Sequence, residues 1–196
     1  MRPVRSVLFA LLALLAATQG GLAIDADPAL AFLPVKRAAP APDGAVGLCE
    51  AIDWACAPGS GRAAGAEVLA RAVEVNRAAN AVIRPVTDLA QYGVAERWSL
   101  PSERGGDCED YAIYKKGALI GAGVSPDRLL LATALDRRNK AHAVLVLRTE
   151  MGDFVLDNRR DEVLPWNRTE LVFLRMQDPA RPGAWVSVFA EAAGRR

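Results

Sequence analysis

The sequence is poor in the residues that bind transition metals, because its 196 residues include one histidine and three cysteines. The histidine is His142, and no two cysteines form a CxxC pair, so a tetrahedral zinc site lacks ligands. Charge of one sign is not in excess either, since 24 basic and 23 acidic side chains give a net charge of +1. A near-neutral chain lacks the positive surface on which nucleic-acid binding depends, and we expect no nucleic-acid partner.

Long apolar runs are also scarce, and the one that stands out lies at the N-terminus. Residues 7–17 are apolar, two arginines precede them, and small residues follow up to Ala23. A basic start, a run too short to span a bilayer and small residues at its exit are typical of a secretory signal peptide. We therefore predict a signal peptide over residues 1–23, with an uncleaved membrane anchor as the alternative. Its removal would leave 22 basic and 23 acidic side chains, a net charge of −1.

The three cysteines divide into a pair and a single residue. Cys49 and Cys56 are seven residues apart, a span that can close a small disulfide loop in an oxidising compartment, and two free thiols are the alternative. Cys108 is left over, and an unpaired cysteine in an exported protein is a candidate reactive thiol.

The hydrophobic pattern predicts one α+β domain over residues 48–196, with helices packed against an antiparallel sheet. Residues 24–47 are rich in alanine, proline and glycine, and we expect an extended N-terminal segment with little structure of its own. Apolar residues recur at helical spacing over residues 61–82, so this stretch is predicted to be an amphipathic helix that Pro85 ends. Residues 87–93 are predicted to be a connector.

A second helix is predicted from Cys108 to about Ile120, where glycines end it. After it, short apolar runs alternate with polar turns, a pattern that favours antiparallel strands. The predicted strands cover residues 128–134, 141–147, 154–157, 171–174 and 184–189.

The most informative stretch is Gly-Gly-Asp-Cys-Glu-Asp-Tyr at residues 105–111. The glycine pair predicts a turn, so the Cys108 thiol faces the unpaired backbone N–H groups and the positive dipole at the start of a helix. Such a position can lower a cysteine pKa from about 8.5 to roughly 3.5–7.5. The carboxylates of Asp107, Glu109 and Asp110 oppose a thiolate. Either a nearby cation neutralises them or their side chains point away from the sulfur.

His142 lies in a predicted strand of small and apolar residues. An imidazole buried there needs a hydrogen-bond partner, and Asp157 at the end of the next strand is a candidate. Because strand side chains alternate, the two residues share a face only if the strands pair in the matching register. Cys108 would then be a nucleophile, His142 its base and Asp157 the group that orients the imidazole. The alternative is a structural cysteine and a hydrogen-bonded core histidine.

These stretches resemble the bacterial transglutaminase-like cysteine proteinases. The resemblance is carried by residues 105–112, 141–145 and 155–158, with further similarity at residues 75–77, 86–89 and 91–94. It implies a papain-like, transglutaminase-like core and a periplasmic cysteine endopeptidase. It also implies that Cys108, His142 and Asp157 form the catalytic triad.

In that family the carboxylates beside the nucleophile bind calcium, and the resemblance implies that Asp107 and Glu109 are calcium ligands here. Carboxylate oxygens suit Ca²⁺, although two side chains are too few to complete a site. Without a metal, the same acids would be favourable charges in the first turn of a helix. For the oxyanion hole, the backbone N–H of Cys108 is one candidate donor. Trp98 and Tyr92 are candidates for the second donor, and each is also a candidate core residue.

The resemblance further implies a protein substrate, in this family a cell-surface adhesin cut beside small residues. It implies control by an inner-membrane cyclic-di-GMP receptor as well. Two other functions would use the same features: an acyltransferase with the same triad, or a non-catalytic transglutaminase-like module that binds calcium or a protein. Product analysis separates the first from a peptidase, and an ordinary thiol reactivity would indicate the second.

Overall fold

The structure is a computed structural model that describes residues 32–59 and 65–191. The predicted signal peptide, residues 1–23, and the first residues of the predicted helix, 61–64, lie outside the described residues. Within the described ranges, no helix is long and apolar enough to cross a membrane.

Helices precede the larger part of the sheet along the chain. The helices are α1 (Leu48–Ala51), α2 (Ala66–Val82), α3 (Asp88–Tyr92) and α4 (Cys108–Gly121). The strands are β1 (Arg37–Ala39), β2 (Leu129–Leu135), β3 (Ala141–Thr149), β4 (Gly152–Leu156), β5 (Leu164–Pro165), β6 (Val172–Asp178) and β7 (Arg181–Glu191). They form one sheet in the order β1-β7-β6-β2-β3-β4-β5, and all its neighbouring strands are antiparallel. The predicted α+β class is confirmed.

Both faces of the sheet are buried, which explains why its strands are continuous apolar runs. Leu131 and Leu145 belong to the core on the face that α4 covers, while Leu130 and Val144 belong to a second core on the opposite face. Leu33 packs into that second core, and β1 pairs with β7 at one edge. The extended N-terminal segment therefore contributes to the sheet. The strands β5 and β1 have two and three residues, which is too short for an alternating hydrophobic pattern to indicate a strand in the sequence.

The predicted connector at residues 87–93 is wrong, because the chain forms the short helix α3 there. Its first turn is capped by Thr87, whose Oγ1 accepts a hydrogen bond from the backbone N–H of Ala90 at 3.3 Å. Gly93 closes the helix with a φ of 74°. Five helical residues are too few to show a hydrophobic period, but the two caps are visible in the sequence.

Two lysines of α4 are fully buried, an unusual place for a charged side chain. Lys116 donates a hydrogen bond from Nζ to Oε1 of Gln177 at 2.7 Å. Nζ of Lys115 has no hydrogen-bond partner among the described residues and lies 5.7 Å from the centre of the Tyr111 ring. Burial lowers the pKa of each lysine to about 7, although Asp157 and Asp161 partly oppose this at Lys115.

Lys116 is expected to add a contribution to the free energy of unfolding that rises between pH 7 and pH 8.5. The pKa of Lys116 is about 7 in the folded chain and about 10.5 in the unfolded chain. At this lysine the unfolded chain therefore binds more protons in this window, so the contribution of Lys116 to stability increases with pH, whereas the raised pKa of Glu109 acts in the opposite direction. Lys116→Met removes that contribution, and urea unfolding at pH 7.0, 7.75 and 8.5 should then show a smaller pH slope.

Lys140→Met, which removes an exposed lysine, is the control and should keep the wild-type slope. The window stops at pH 8.5 because burial raises the pKa of Cys108. Above this pH the unfolded chain loses the Cys108 proton before the folded chain does, so Cys108 lowers stability as the pH rises, opposite to the contribution of Lys116. An unchanged slope in Lys116→Met would contradict a neutral buried lysine.

Candidate active site

The turn before α4 is fixed by a backbone contact that only glycine permits. Gly105 has a φ of 122°, and a Cβ at this position would lie 2.0 Å from the carbonyl oxygen of Arg84. The backbone N–H of Gly106 donates to that carbonyl at 3.0 Å, and Val86 donates back to Gly106 at 2.9 Å. The predicted turn is confirmed, and it places Cys108 as the first residue of α4.

The structure brings Cys108, His142 and Asp157 into one region. Nε2 of His142 lies 2.9 Å from Oδ1 of Asp157, and both residues are buried. Cys108 and His142 line the same cavity of about 230 Å³. The backbone N–H of Ala143, the residue after His142, donates to Sγ of Cys108 at 3.3 Å.

The strand register explains why the histidine and the aspartate meet. Val146 of β3 pairs with Val155 of β4, so even-numbered residues of β3 share a face with odd-numbered residues near the end of β4. Asp157 follows the last residue of β4 and is held there by its neighbours. The backbone N–H of Arg159 donates to its Oδ1 at 2.9 Å, and Asn80 of α2 donates to its carbonyl oxygen at 3.1 Å.

The carboxyl of Asp157 is set up to hold a negative charge against His142. Burial alone would raise its pKa, but the hydrogen bond and charge of His142, together with the Arg159 N–H, lower the pKa below its usual range. The other ring nitrogen, Nδ1 of His142, is buried and has no hydrogen-bond partner among the described residues. It is therefore the nitrogen free to exchange a proton with another group.

The protein groups around Cys108 favour the thiol over the thiolate. Burial raises the pKa of Cys108, and the charge of Glu109 raises it further, whereas the N–H of Ala143 opposes both. Sγ donates a hydrogen bond to Oε2 of Glu109 at 3.2 Å. The helix N-terminus was expected to lower the pKa of Cys108, but desolvation and the adjacent carboxylate of Glu109 outweigh this effect.

Three carboxylates cluster beside the thiol: Asp88, Asp107 and Glu109. One oxygen from each lies within 4.8 Å of the other two. Asp88 Oδ1, Asp107 Oδ1 and Glu109 Oε1 are buried and have no hydrogen-bond partner in the described part of the chain. Burial, and next the proximity of Asp107, raises the pKa of Asp88 and that of Glu109. Buried carboxylate oxygens without donors are suited to a hard cation such as Ca²⁺.

Sequence reasoning missed Asp88 as a member of this cluster. Asp88 lies 19 residues before Asp107, and the two meet because the backbone N–H of Asp88 donates to Oδ2 of Asp107 at 3.1 Å. The backbone N–H of Arg97 donates to the carboxylate of Asp88 as well. In the sequence, Asp88 stands out only because it follows the cap residue Thr87. That position indicates the start of a helix but does not indicate a metal ligand.

Other acidic and aromatic candidates have different roles. Asp110 lies outside the carboxylate cluster: its Oδ1 accepts hydrogen bonds from the backbone N–H and hydroxyl of Ser99 at 3.1 and 3.2 Å, and its Oδ2 is buried without a partner among the described residues. Trp98 lines the cavity with Cys108, whereas Tyr92 does not. The indole N–H of Trp98 donates to Glu96, which also lines the cavity.

Comparison with known proteins identifies a family and solved structures that are similar to this chain. The model of the family described as bacterial transglutaminase-like cysteine proteinase BTLCP matches residues 35–193. Calcium-bound LapG of Legionella pneumophila is a similar solved structure, with 29% identity, a TM-score of 0.52 and coverage of 64% of this chain and 73% of LapG. Another structure of Legionella pneumophila LapG has 28% identity, a TM-score of 0.50 and coverage of 61% and 68%. No curated protein matches the chain.

Proposed function

The chain belongs to the bacterial transglutaminase-like cysteine proteinases, and we propose that it is a periplasmic, calcium-dependent endopeptidase with the catalytic triad Cys108, His142 and Asp157. The observation that carries the proposal is the His142–Asp157 pair, 2.9 Å apart, beside the only free cysteine of the chain. A nucleophile, a base and a carboxylate that orients the base are the parts that acyl transfer through a thiol requires.

In the proposed mechanism, Sγ of Cys108 attacks the carbonyl carbon of the scissile peptide bond while its proton passes to Nδ1 of His142. The C–N bond then breaks as His142 returns that proton to the leaving amine, and a thioester with Cys108 remains. Water attacks the thioester carbonyl, with His142 accepting a proton, and releases the carboxylate product and the free thiol. Asp157 holds Nε2–H throughout and stabilises the imidazolium.

The carboxylates Asp88, Asp107 and Glu109 would hold the calcium ion. Bound Ca²⁺ supplies positive charge that offsets the carboxylates next to the thiolate. Glu109 has a second part in this arrangement, because its Oε2 accepts the thiol hydrogen bond and raises the pKa of Cys108. When bound calcium compensates the charge of Glu109, this carboxylate competes less for the thiol proton of Cys108, and His142 can accept that proton. The calcium-bound state of the similar Legionella protein LapG supports the same choice of ion.

The proposal also covers the compartment, the substrate and the regulator of the protein. The predicted signal peptide and the disulfide bond between Cys49 and Cys56 support an oxidising compartment outside the cytoplasm. The substrate is a protein, since the family is a proteinase family. We propose a cell-surface adhesin as that protein and an inner-membrane cyclic-di-GMP receptor as the regulator, on the resemblance to the family alone.

Cleavage by this protein is testable in the bacterium that encodes it. Cells that lack the gene are complemented with the wild-type chain or with Cys108→Ser, and new protein N-termini are labelled and identified by mass spectrometry. At least one surface or periplasmic protein should carry a new internal N-terminus only with the wild-type chain. Identical sets of N-termini in both strains would contradict the proposed peptidase, provided that both chains accumulate equally.

A further inference from the structure

Two polar turns border a second cavity, which lies next to Asp157. The turn at residues 136–140 joins β2 to β3, and the turn at residues 157–161 follows β4. The cavity has a volume of about 420 Å³, and Asp157 is one of the residues that line it. A chain bound in this cavity would therefore lie next to the proposed triad.

Basic side chains outnumber acidic ones in this cavity. This cavity, the basic cleft, is lined by Arg137, Arg138, Lys140, Arg159 and Arg160. Three carboxylates also line it, and each already has a partner: Asp157 pairs with His142, Asp136 pairs with Arg159 at 2.8 Å, and Glu170 is shared by Arg137 and Arg160 at 2.7 and 3.6 Å.

Two of these cations remain available to a ligand. Arg138 and Lys140 are exposed, and neither forms an ion pair within residues 32–59 and 65–191. Their backbone is fixed, because Oδ1 of Asp136 accepts hydrogen bonds from the N–H groups of both, at 2.8 and 2.9 Å. The cations therefore project from an ordered turn, which reduces the entropy lost when a ligand binds.

The second turn is fixed as well. Nδ2 of Asn80 donates to the carbonyl oxygens of Asp157 and Arg160 at 3.1 and 2.9 Å, which anchors this turn to α2. The guanidinium of Arg159 reaches across to Asp136 and joins the two turns. The basic cleft is thus a preformed surface, held from both sides by hydrogen bonds.

The cavity that contains Cys108 carries charge of the opposite sign. Asp43 and Glu96 line it in addition to Glu109, whose charge the proposed calcium ion would offset, and among its lining residues only His142 can carry a positive charge. A peptide that crosses from one cavity to the other meets carboxylates near Cys108 and cations beyond Asp157. Such a gradient orients a charged peptide and suppresses the reverse direction of binding.

We propose that the basic cleft binds acidic side chains of the protein substrate, on the side of the scissile bond that passes Asp157. This inference rests on the proposed peptidase and adds a charge requirement to its substrate. Single exposed ion pairs contribute little, so recognition depends on several cations acting together and weakens as salt increases.

Peptide binding to the full chain carrying Cys108→Ser tests this without turnover. The probes are fluorescein-labelled 12-residue peptides that alternate serine with glutamate, with glutamine or with lysine, followed by fluorescence anisotropy. At 50 mM NaCl the glutamate peptide should bind at least tenfold more tightly than the glutamine peptide, and 300 mM NaCl should remove most of that advantage. The lysine peptide should bind no better than the glutamine peptide.

Matched variants locate the binding. Arg138→Gln with Lys140→Gln should weaken the glutamate peptide at least fivefold. Arg37→Gln with Arg71→Gln removes the same charge from β1 and α2 and should change affinity less than twofold. Equal binding of the glutamate and glutamine peptides, or equal loss in both double variants, would overturn the proposal.

Inorganic polyphosphate is the competing probe. Polyphosphate that binds more tightly than the glutamate peptide, with the same dependence on Arg138 and Lys140, would overturn the proposal in favour of a general polyanion surface. The outcome is separable from that of the peptidase proposal. If the protein does not discriminate between the peptides, cleavage can still depend on Cys108, and the peptidase proposal stands. If cleavage does not depend on Cys108, the peptide affinities can still be measured, and the charge proposal is tested separately.

Discussion

His142→Ala is expected to lower kcat/KM for a cleaved protein by roughly 100- to 10,000-fold, the usual contribution of a general acid–base group. The chain has no other histidine, so no second imidazole can take the role. Asp157→Asn should cause a smaller loss, because an amide oxygen still accepts the hydrogen bond from Nε2 of His142 but lacks the charge that stabilises the imidazolium. The measurement is kcat/KM on the protein that the Cys108→Ser comparison identifies.

Two controls separate chemistry from folding. Asp161→Asn, four residues from Asp157 in the same turn, removes an exposed carboxylate and should keep wild-type activity within about threefold. Thermal unfolding should show that each variant is folded at the assay temperature. A folded His142→Ala that retains wild-type kcat/KM would contradict the proposed triad.

Calcium is expected to raise the melting temperature of the wild-type protein by roughly 10 °C. If the dissociation constant is about 1 µM, in the range of regulatory calcium sites, 1 mM Ca²⁺ stabilises the fold by about 4 kcal/mol. For a domain of this size, 1 kcal/mol corresponds to about 2–4 °C. Chelation with EGTA should abolish proteolysis along with this stabilisation. The measurement is calorimetry in 1 mM Ca²⁺ and in 1 mM EGTA.

Asp88→Asn should remove most of the rise in melting temperature that calcium causes. Without calcium, the same substitution should leave the stability unchanged or raise it. Asp88 supplies one of the three clustered carboxylates, so its loss weakens calcium binding. In EGTA the variant should be at least as stable as the wild type, because one of three mutually repelling clustered carboxylates has lost its charge. This reversal distinguishes a ligand from a structural aspartate.

Asp110→Asn is the matched control, since Asp110 is also buried near Cys108 but is engaged by Ser99. It should keep the calcium response of the wild type. An Asp88→Asn variant with an unchanged calcium response, or a wild-type protein whose melting temperature is the same in calcium and in EGTA, would contradict the calcium site.

Much of the fold follows from local pattern. The start of α4 at Cys108, its end near the glycines after Ile120 and the order of the longer strands are readable, because capping residues and apolar runs act over a few neighbours. The meeting of His142 and Asp157 depended on strand register. That register is set by packing of both sheet faces and not by either strand alone.

The metal cluster and the state of the thiol were less predictable for a physical reason. Asp88 reaches Asp107 through the placement of α3 against the start of α4, a tertiary contact that no local pattern encodes. The effect of the helix N-terminus on Cys108 was readable, but the opposing effect of burial was not, since burial depends on the whole fold. The burial of Lys115 and Lys116 likewise contradicts their residue type.

The rate of alkylation of Cys108 by iodoacetamide, measured against pH, tests the activated Cys–His pair most directly. Cys49 and Cys56 are bonded to each other, so Cys108 is the single free thiol. In calcium, the wild-type rate should reach half its maximum well below pH 8.5, the value of an ordinary thiol, and His142→Ala should move that midpoint upward. In EGTA the wild-type midpoint should also move upward, because burial and Glu109 raise the pKa of Cys108. A midpoint near pH 8.5 in both proteins, with and without calcium, would contradict the account.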